Sequence, residues 1–224
     1  MSAPFRTHAE LIHRLAAPLR GRGKLIVAGY GEDPATKAKL KPKVEHVAVG
    51  DVGATLAAIE RLREEHRNVY MPLTVLRPDL ETGKRGEEAD IVAVLGLVAD
   101  FDDADAARWS ERLPAPANYV LETSAGRFQA FYLFADPASP DEAKAVAERL
   151  MAHAGCDTGT KDVSHVWRVP GLLNWPNAKK VGEGRSAGGT ISVEERVASS
   201  VPAGAPDPRP AVRCAASARS LYAA

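Results

Sequence analysis

The chain is short of the residues on which several classes of protein depend. Its 224 residues include two cysteines, Cys156 and Cys214, which fit neither a disulfide framework nor a zinc-ligand spacing. No apolar run approaches the length of a membrane span, and the N-terminal segment lacks the apolar core of a signal peptide. These absences favour a cytoplasmic protein in a reducing compartment, with no membrane among its partners.

The chain also has no excess of charge of either sign. Lys plus Arg and Asp plus Glu both number 29, so the formal net charge is zero. A polycation that binds DNA indiscriminately is therefore excluded, and any contact with nucleic acid must be local. The length allows one large domain or two small ones.

Strands and helices are predicted to alternate along most of the chain. Apolar periodicity predicts a helix over 8–19, strands at "GKLIVAGY", "VEHVAVG" and "NVYMPLTVL", and a helix at "DVGATLAAIERLREEHR" with Asp51 as its N-cap. Further on it predicts a strand at "IVAVLGLVADF", a short helix over 104–112, a hairpin at "LETSAGRFQAFYLF" and a helix over 139–154. We predict an N-terminal helix in 1–22, a folded domain over 23–195 and a disordered Pro- and Ala-rich tail over 196–224.

Carboxylates crowd onto the end of the strand at "IVAVLGLVADF". Because side chains alternate along a strand, Asp100 and Asp102 point the same way and Phe101 points to the opposite layer. Like charges this close raise one another's pKa unless a cation lies between them, and Mg²⁺ or Mn²⁺ suits such oxygen ligands. The alternative is an N-cap for the helix that follows, a role that suits Asp103, with Asp105 in its first turn.

Two later segments carry polar side chains that are candidates for nucleotide binding. Arg127 and Gln129 share one face of a strand, either as donors to a phosphate or sugar or as solvated surface positions. The segment "GCDTGTKDVSHVWRVPGLLNWPNAKK" interleaves basic and aromatic residues around a "VPG" turn, as phosphate and base binding requires. Its tryptophans, Trp167 and Trp175, either stack on bases or are ordinary core residues. His165 either binds a metal ion or a phosphate, or has a structural role.

The three segments, taken in order, resemble the archaeo-eukaryotic primase superfamily. Within it they are similar to the RepB-like primases of plasmids, phages and proviral elements. The motifs are "VADFDD", "ETSAGRFQAFYLF" and "GCDTGTKDVSHVWRVPGLLNW", and "RVPGLLN" is the most specific of the matches. The resemblance covers about Lys24 to Arg185. It implies an α+β fold, in which an RRM-like antiparallel sheet forms the catalytic core and joins an N-terminal αβ unit, with the active site between them.

The resemblance also assigns roles to single positions. Asp100 and Asp102 correspond to the first two metal-binding acids and Asp157 to the third, with Asp162 as its rival. Many relatives have Ser-x-His where this chain has Arg127, Phe128 and Gln129, although RepB-like members often have Gln there. Residues implied to bind nucleotide or template are Arg127, Gln129, His165, Arg168, Asn174 and Lys179.

The implied function is that of a DNA primase or primase-polymerase, a nucleotidyltransferase. It makes primers on single-stranded DNA from nucleoside triphosphates by two-metal chemistry with Mg²⁺ or Mn²⁺, for plasmid, phage or proviral replication. A helicase partner is expected on a separate protein, unless the chain is a truncated remnant. Two alternatives stay open: a metal-dependent nuclease that uses the same carboxylates, and a non-catalytic replication-initiator module that binds DNA without metal.

Overall fold

Runs of β-branched and aromatic residues form the strands of one sheet, and amphipathic helices cover its faces. The computed structural model describes residues 3–33, 35–182 and 189–194. The strands in these ranges are β1 (Lys24–Tyr30), β2 (Lys43–Ala48), β3 (Asn68–Met71), β4 (Thr74–Leu76), β5 (Ile91–Phe101), β6 (Tyr119–Ser124), β7 (Arg127–Ala138), β8 (Trp167–Arg168) and β9 (Ser192–Glu194). The helices are α1 (Pro4–Leu15), α2 (Val52–Glu64), α3 (Trp109–Arg112), α4 (Pro140–Ala154) and α5 (Ala178–Gly182).

The sheet is continuous and its strand pairs are antiparallel. Its order is β8-β3-β1-β4-β5-β7-β6-β9, and β2 pairs with β1. The short strand β4 contacts β1 on one side and β5 on the other, so it joins the N-terminal strands to the β5–β7–β6 part of the sheet. The predicted α+β fold, with an antiparallel core sheet joined to an N-terminal αβ unit, is confirmed.

Two hydrophobic cores lie on the two sides of the sheet. One contains the apolar residues of α1 and α2 together with alternate strand residues such as Leu95 and Phe131. The other contains the apolar face of α4 with Phe101 and Phe128. None of the helices in the described ranges is long and apolar enough to cross a membrane.

Strand β5 places the candidate site because its register against β7 is fixed by a bulge. The pairing shifts between Val94 and Gly96, after which Asp100 lies opposite Gln129. A Cβ atom at Gly96 would lie 2.5 Å from the carbonyl oxygen of Tyr132, so this position needs a glycine. The bulge therefore sets which polar residues meet at the end of the two strands.

Several predicted elements differ from those in the structure. The helix expected over 8–19 begins at Pro4, whose fixed φ suits a first turn, and 17–19 form a separate 3₁₀ turn. The strand expected at "NVYMPLTVL" is divided into β3 and β4 around Pro72, which has no N–H to donate. The helix expected over 104–112 consists of a 3₁₀ turn at 106–108 followed by α3. The predicted tail over 196–224 lies outside the described residues, and the predicted domain boundaries stay predictions.

A candidate active site at the ends of β5 and β7

The carboxylates of Asp100 and Asp102 lie in one small cavity at the end of β5. Phe101 and Phe128 pack into the core under α4, and their neighbours Asp100 and Gln129 line the cavity. The cavity has a volume of about 160 Å³. We call it the acid pocket; its walls are formed by Tyr70, Asp100, Asp102, Thr123, Ser124, Arg127, Gln129, His165, Val166, Arg168, Asn174, Pro176 and Lys180.

The pKa of Asp100 is displaced towards neutrality. Burial raises the pKa of this carboxyl to about 6, and the negative charges of Asp102 and Asp157 add to the rise. A hydrogen bond from Gln129 and the positive charge of Lys180 oppose it. Ionised Asp100 is therefore destabilised in the pocket by burial, and a bound cation would offset this loss of free energy.

Arg127 lies directly against the acidic turn, the segment 102–105 that follows β5. Its Nε is 2.8 Å from an Asp102 carboxylate oxygen, and its Nη1 donates to the carbonyl of Asp103 at 3.0 Å. About a third of the Arg127 side chain is exposed, so it can turn towards a ligand without breaking the core. Arg127, which the sequence predicts as a donor to a phosphate or sugar, thus forms an ion pair with Asp102.

Gln129 connects Asp100 on β5 with Arg168 on β8. It is buried at 8% exposure; its Nε2 donates to Asp100 Oδ1 at 3.4 Å, and its Oε1 accepts from the backbone N–H of Arg168 at 3.4 Å. Strand β8 places Arg168 opposite Tyr70 of β3, with the guanidinium 4.5 Å from the centre of the tyrosine ring. A cation is thereby held beside the acid pair through a cation–π contact.

The "VPG" turn brings the last polar residues to the pocket. Gly171 has φ of +76° and lies against Pro4, a conformation and a close approach that favour glycine. After the turn, Asn174 is buried and donates through Nδ2 to the carbonyl of Thr123 at 2.9 Å, which ties the turn to the hairpin. His165 packs on Trp167, and burial lowers the pKa of its imidazole.

Asp157 is hydrogen-bonded to Asp100 through its backbone, while its carboxylate caps a 3₁₀ turn. Its N–H donates to the carbonyl of Asp100 at 2.8 Å, while its Oδ1 accepts from Gly159 N at 2.7 Å and caps the 3₁₀ turn at 158–161. Asp162 accepts from the backbone and hydroxyl of Ser164 in the same way. In the part of the chain that the structure describes, no three His, Cys, Asp or Glu side chains form a group that could hold a metal ion.

Asp103 and Asp105, the two acids that follow the pair, belong to the turn before the 3₁₀ helix. Asp103 accepts from Asp105 N at 2.9 Å and receives both ends of the Arg112 guanidinium, at 3.0 and 2.9 Å. Asp103 therefore closes a turn before the 3₁₀ helix, which is a correction to its predicted role as a helix N-cap. Asp105 occupies the N-cap position of that 3₁₀ helix without a side-chain hydrogen bond.

The sequence alone misses part of the pocket wall. Lys180 lines the pocket, whereas the predicted Lys179 is exposed on α5 and does not line it. Tyr70 arrives from β3, 30 residues before Asp100 in the chain, and has no local signal that sets it apart from a core aromatic residue. The two tryptophans divide: Trp167 is a core residue, and Trp175 lies on the wall of a neighbouring cleft.

The chain is similar to known proteins in both sequence and fold. A family model described as the RepB DNA-primase N-terminal domain matches residues 55–188. The solved AEP domain of the cyanophage S-2L primase-polymerase is similar in fold, with a TM-score of 0.55 and 16% identity over 83% of this chain and 89% of that chain. Among curated proteins, none matches the chain significantly.

Two structures of primase RepB′ also match, each with a TM-score of 0.49. The first is 18% identical and covers 84% of this chain and 56% of that chain. The second, its catalytic domain in complex with initiator DNA, is 19% identical and covers 85% of both chains.

Proposed function

Because the chain belongs to the family of RepB DNA-primase N-terminal domains, we propose that it is a primase-polymerase that makes primers on single-stranded DNA. The reaction is template-directed nucleotidyl transfer from nucleoside triphosphates, in the replication of a plasmid, phage or provirus. The observation that carries the proposal is the acid pocket, where Asp100 and Asp102 lie among the cations Arg127, Arg168 and Lys180. Carboxylates that bind metal and cations that bind phosphate are the two requirements of this chemistry.

The donor set of the pocket fits Mg²⁺ or Mn²⁺. Asp100 and Asp102 supply hard oxygen ligands, and a bound cation would counter the burial and the charge of Asp102 that raise the pKa of Asp100. Asp157 is the proposed third ligand, since it lies close enough to affect the pKa of Asp100. When bound, the metal ions would lower the pKa of the attacking hydroxyl and neutralise the leaving pyrophosphate.

The protein's own cations bind and orient the triphosphate. Arg127 can exchange its ion pair with Asp102 for a phosphate oxygen, since guanidinium binds carboxylate and phosphate with similar geometry. Arg168 is held by Tyr70 and positions a second charge. Gln129 keeps Asp100 aligned, while His165, Asn174 and Lys179 are proposed contacts to nucleotide or template.

A primer-synthesis assay tests the proposal. Purified protein, single-stranded DNA, nucleoside triphosphates and Mn²⁺ should give short oligonucleotides. The isosteric double variant Asp100→Asn, Asp102→Asn should reduce synthesis by about three orders of magnitude or more, because both proposed metal ligands lose their charge. The matched control, Asp136→Asn with Asp141→Asn, removes two exposed carboxylates outside the pocket and should retain full activity.

Other results would point to the alternatives. Unchanged synthesis by the Asp100→Asn, Asp102→Asn variant would overturn the assignment of the pocket. Metal-dependent cleavage of labelled DNA without added nucleotides, lost in the same variant, would identify a nuclease. Origin binding that needs neither metal nor the two acids, with no synthesis, would identify an initiator module.

A further inference from the structure

A second and larger cavity opens beside the acid pocket. Its volume is about 970 Å³, and it shares Tyr70, Arg168, Pro176 and Lys180 with the pocket, so the two cavities adjoin. The connection between β1 and β2, which precedes the residues matched by the family model, also lines it. We call this cavity the aromatic–basic cleft, after the side chains that line it: Tyr30, His66, Tyr70 and Trp175, with Lys37, Lys39, Lys41, Arg168 and Lys180.

The aromatic residues of the cleft form two fixed pairs. Tyr30 and Tyr70 meet edge to face with ring centres 5.4 Å apart, and His66 and Trp175 do the same at 5.4 Å. The backbone of Trp175 is held by Asn68, whose Nδ2 donates to its carbonyl at 2.6 Å and whose Oδ1 accepts from its N–H at 2.8 Å. Asn68 is itself buried at 7% exposure, so the backbone of Trp175 is anchored to the core of the domain.

The cations of the cleft outnumber its acids. Five lining residues are Lys or Arg, and two, Glu32 and Asp33, are acidic. Both acids already accept backbone hydrogen bonds: Glu32 from Ala178 N at 2.9 Å, and Asp33 from two N–H groups of its own turn. The residues that line the cleft therefore carry three more positive than negative charges.

Three of these cations follow one another at alternate positions along the β1–β2 connection. Lys37, Lys39 and Lys41 are exposed, and the carbonyl of Lys41 accepts a hydrogen bond from the buried Arg67 at 2.9 Å. This contact fixes the end of the connection against the domain. Exposed cations and aromatic rings that line one cleft suit a chain of phosphates with attached bases better than they suit a protein segment.

We infer that the aromatic–basic cleft binds a single-stranded segment of the DNA template and leads it to the acid pocket. Bases stack on Trp175 and Tyr30, whereas Lys39 and Lys41 contact the phosphates. The face of Tyr70 is covered by Arg168, which also belongs to the acid pocket and so lies where the two cavities meet. The inference rests on the proposed function and adds to it the surface that holds the template.

The test measures DNA binding in the absence of chemistry. A fluorescent oligo(dT) is titrated with protein in EDTA, without nucleotides, at several salt concentrations, and the anisotropy is recorded. Lys39→Glu with Lys41→Glu should weaken binding at least tenfold and reduce the slope of log K against log salt by about 1.4, for two phosphate contacts. Trp175→Ala should weaken binding about tenfold, and Trp175→Phe, which keeps a stacking surface, should recover most of it.

A charge-matched control separates the cleft from general electrostatics. Arg22→Glu with Arg149→Glu changes the net charge by the same amount at exposed positions that do not line the cleft, and should leave affinity within twofold. Equal losses in the two double variants, or wild-type affinity in Lys39→Glu with Lys41→Glu, would overturn the inference. Trp175→Phe binding no better than Trp175→Ala, with both folded by circular dichroism, would overturn the stacking role.

The acid-pocket variant distinguishes this inference from the proposed function. Asp100→Asn with Asp102→Asn should bind oligo(dT) in EDTA as the wild type does, although it makes no primers. If the cleft variants bind normally but the acid variant is inactive, the cleft assignment fails and the proposed function stands. If the cleft variants lose binding while the acid variant still makes primers, the cleft assignment stands and the assignment of the acid pocket fails.

Discussion

The acid pocket and the aromatic–basic cleft share four wall residues, yet they are built by different means. The pocket lies at the paired ends of β5 and β7, where the register places Asp100 opposite Gln129 and the neighbouring phenylalanines are in the core. The cleft takes one wall from the β1–β2 connection and the other from the segment after the "VPG" turn. The pocket is therefore fixed by strand pairing, and the cleft by side-chain hydrogen bonds such as those of Asn68.

The two cavities also differ in what they can hold. The acid pocket is small and mostly polar, and its acids lie beside cations, which suits a metal ion and a triphosphate. The cleft is about six times larger by volume, 970 against 160 Å³, and presents aromatic faces with peripheral lysines. Nucleotidyl transfer and the binding of single-stranded DNA are thus assigned to separate surfaces. Substitutions in one cavity should therefore change one of these properties and leave the other unchanged.

The largest effect expected on stability is at Arg112, which links the acidic turn to the end of α4. It donates to the carbonyls of Ala154 and Gly155, pairs with Asp103, and lies 4.8 Å from the ring of Phe101. Arg112→Ala should lower the free energy of unfolding in urea by about 2 kcal/mol, because the carbonyls at the end of α4 lose their donor.

The control for this effect is Arg108→Ala, which breaks an exposed ion pair with Glu111 and should cost less than about 0.5 kcal/mol. Arg112→Ala should also weaken Mn²⁺ binding while oligo(dT) affinity in EDTA stays within twofold. A parallel loss of DNA affinity in the folded variant would show that the pocket and the cleft are not independent.

A smaller effect is expected at the third proposed metal ligand. Asp157→Asn should weaken Mn²⁺ binding about tenfold, roughly 1.4 kcal/mol, because it removes a negative charge close to Asp100. The measurement is a titration of free Mn²⁺ by electron paramagnetic resonance. Asp162→Asn is the matched control, since its carboxylate accepts from Ser164 in a similar turn, and it should bind Mn²⁺ as the wild type does. The reverse result would make Asp162 the third ligand.

The last expected effect is a dependence of the free energy of unfolding on pH. Burial raises the pKa of Asp100 to about 6, above the ordinary value of about 4, so the folded protein binds this proton more tightly than the unfolded chain. The free energy of unfolding should therefore fall as pH rises from about 4 through 6. Without metal, the Asp100→Asn variant should have a higher free energy of unfolding than the wild type at pH 7.5 and lose this advantage near pH 4. A variant less stable than the wild type at pH 7.5 would contradict the burial of the charge.

Local patterns predict the features that depend on neighbours in the chain. Alternation at the end of β5 separates Asp100 from Phe101, and "SAGR" predicts the hairpin between β6 and β7, where Gly126 has φ of +68°. The Asp51 cap of α2 is confirmed, because its side chain accepts from Ala54 N. These features need only strand geometry, turn chemistry and a cap, which act over a few residues.

Local patterns fail where a side chain has a choice of partners. Asp103 suits a helix cap, but Arg112 offers a bidentate partner and the helix begins later. Asp157 lies beside Asp100, yet its carboxylate accepts from Gly159 N and caps a 3₁₀ turn. Lys179 and Lys180 are equivalent in the sequence, and only the direction of α5 decides that Lys180 lines the pocket.

The sequence by itself determined most of the strands and helices up to α4, the acids at the end of β5 and the zero net charge. The tertiary structure decided that Tyr70, Gln129 and Arg168 meet around Asp100, and that the lysines of the β1–β2 connection line the same cleft as Trp175. The physical reason is the distance along the chain over which each effect acts. Capping, alternation and turn preference act between near neighbours, whereas strand pairing brings together residues that lie far apart in the chain.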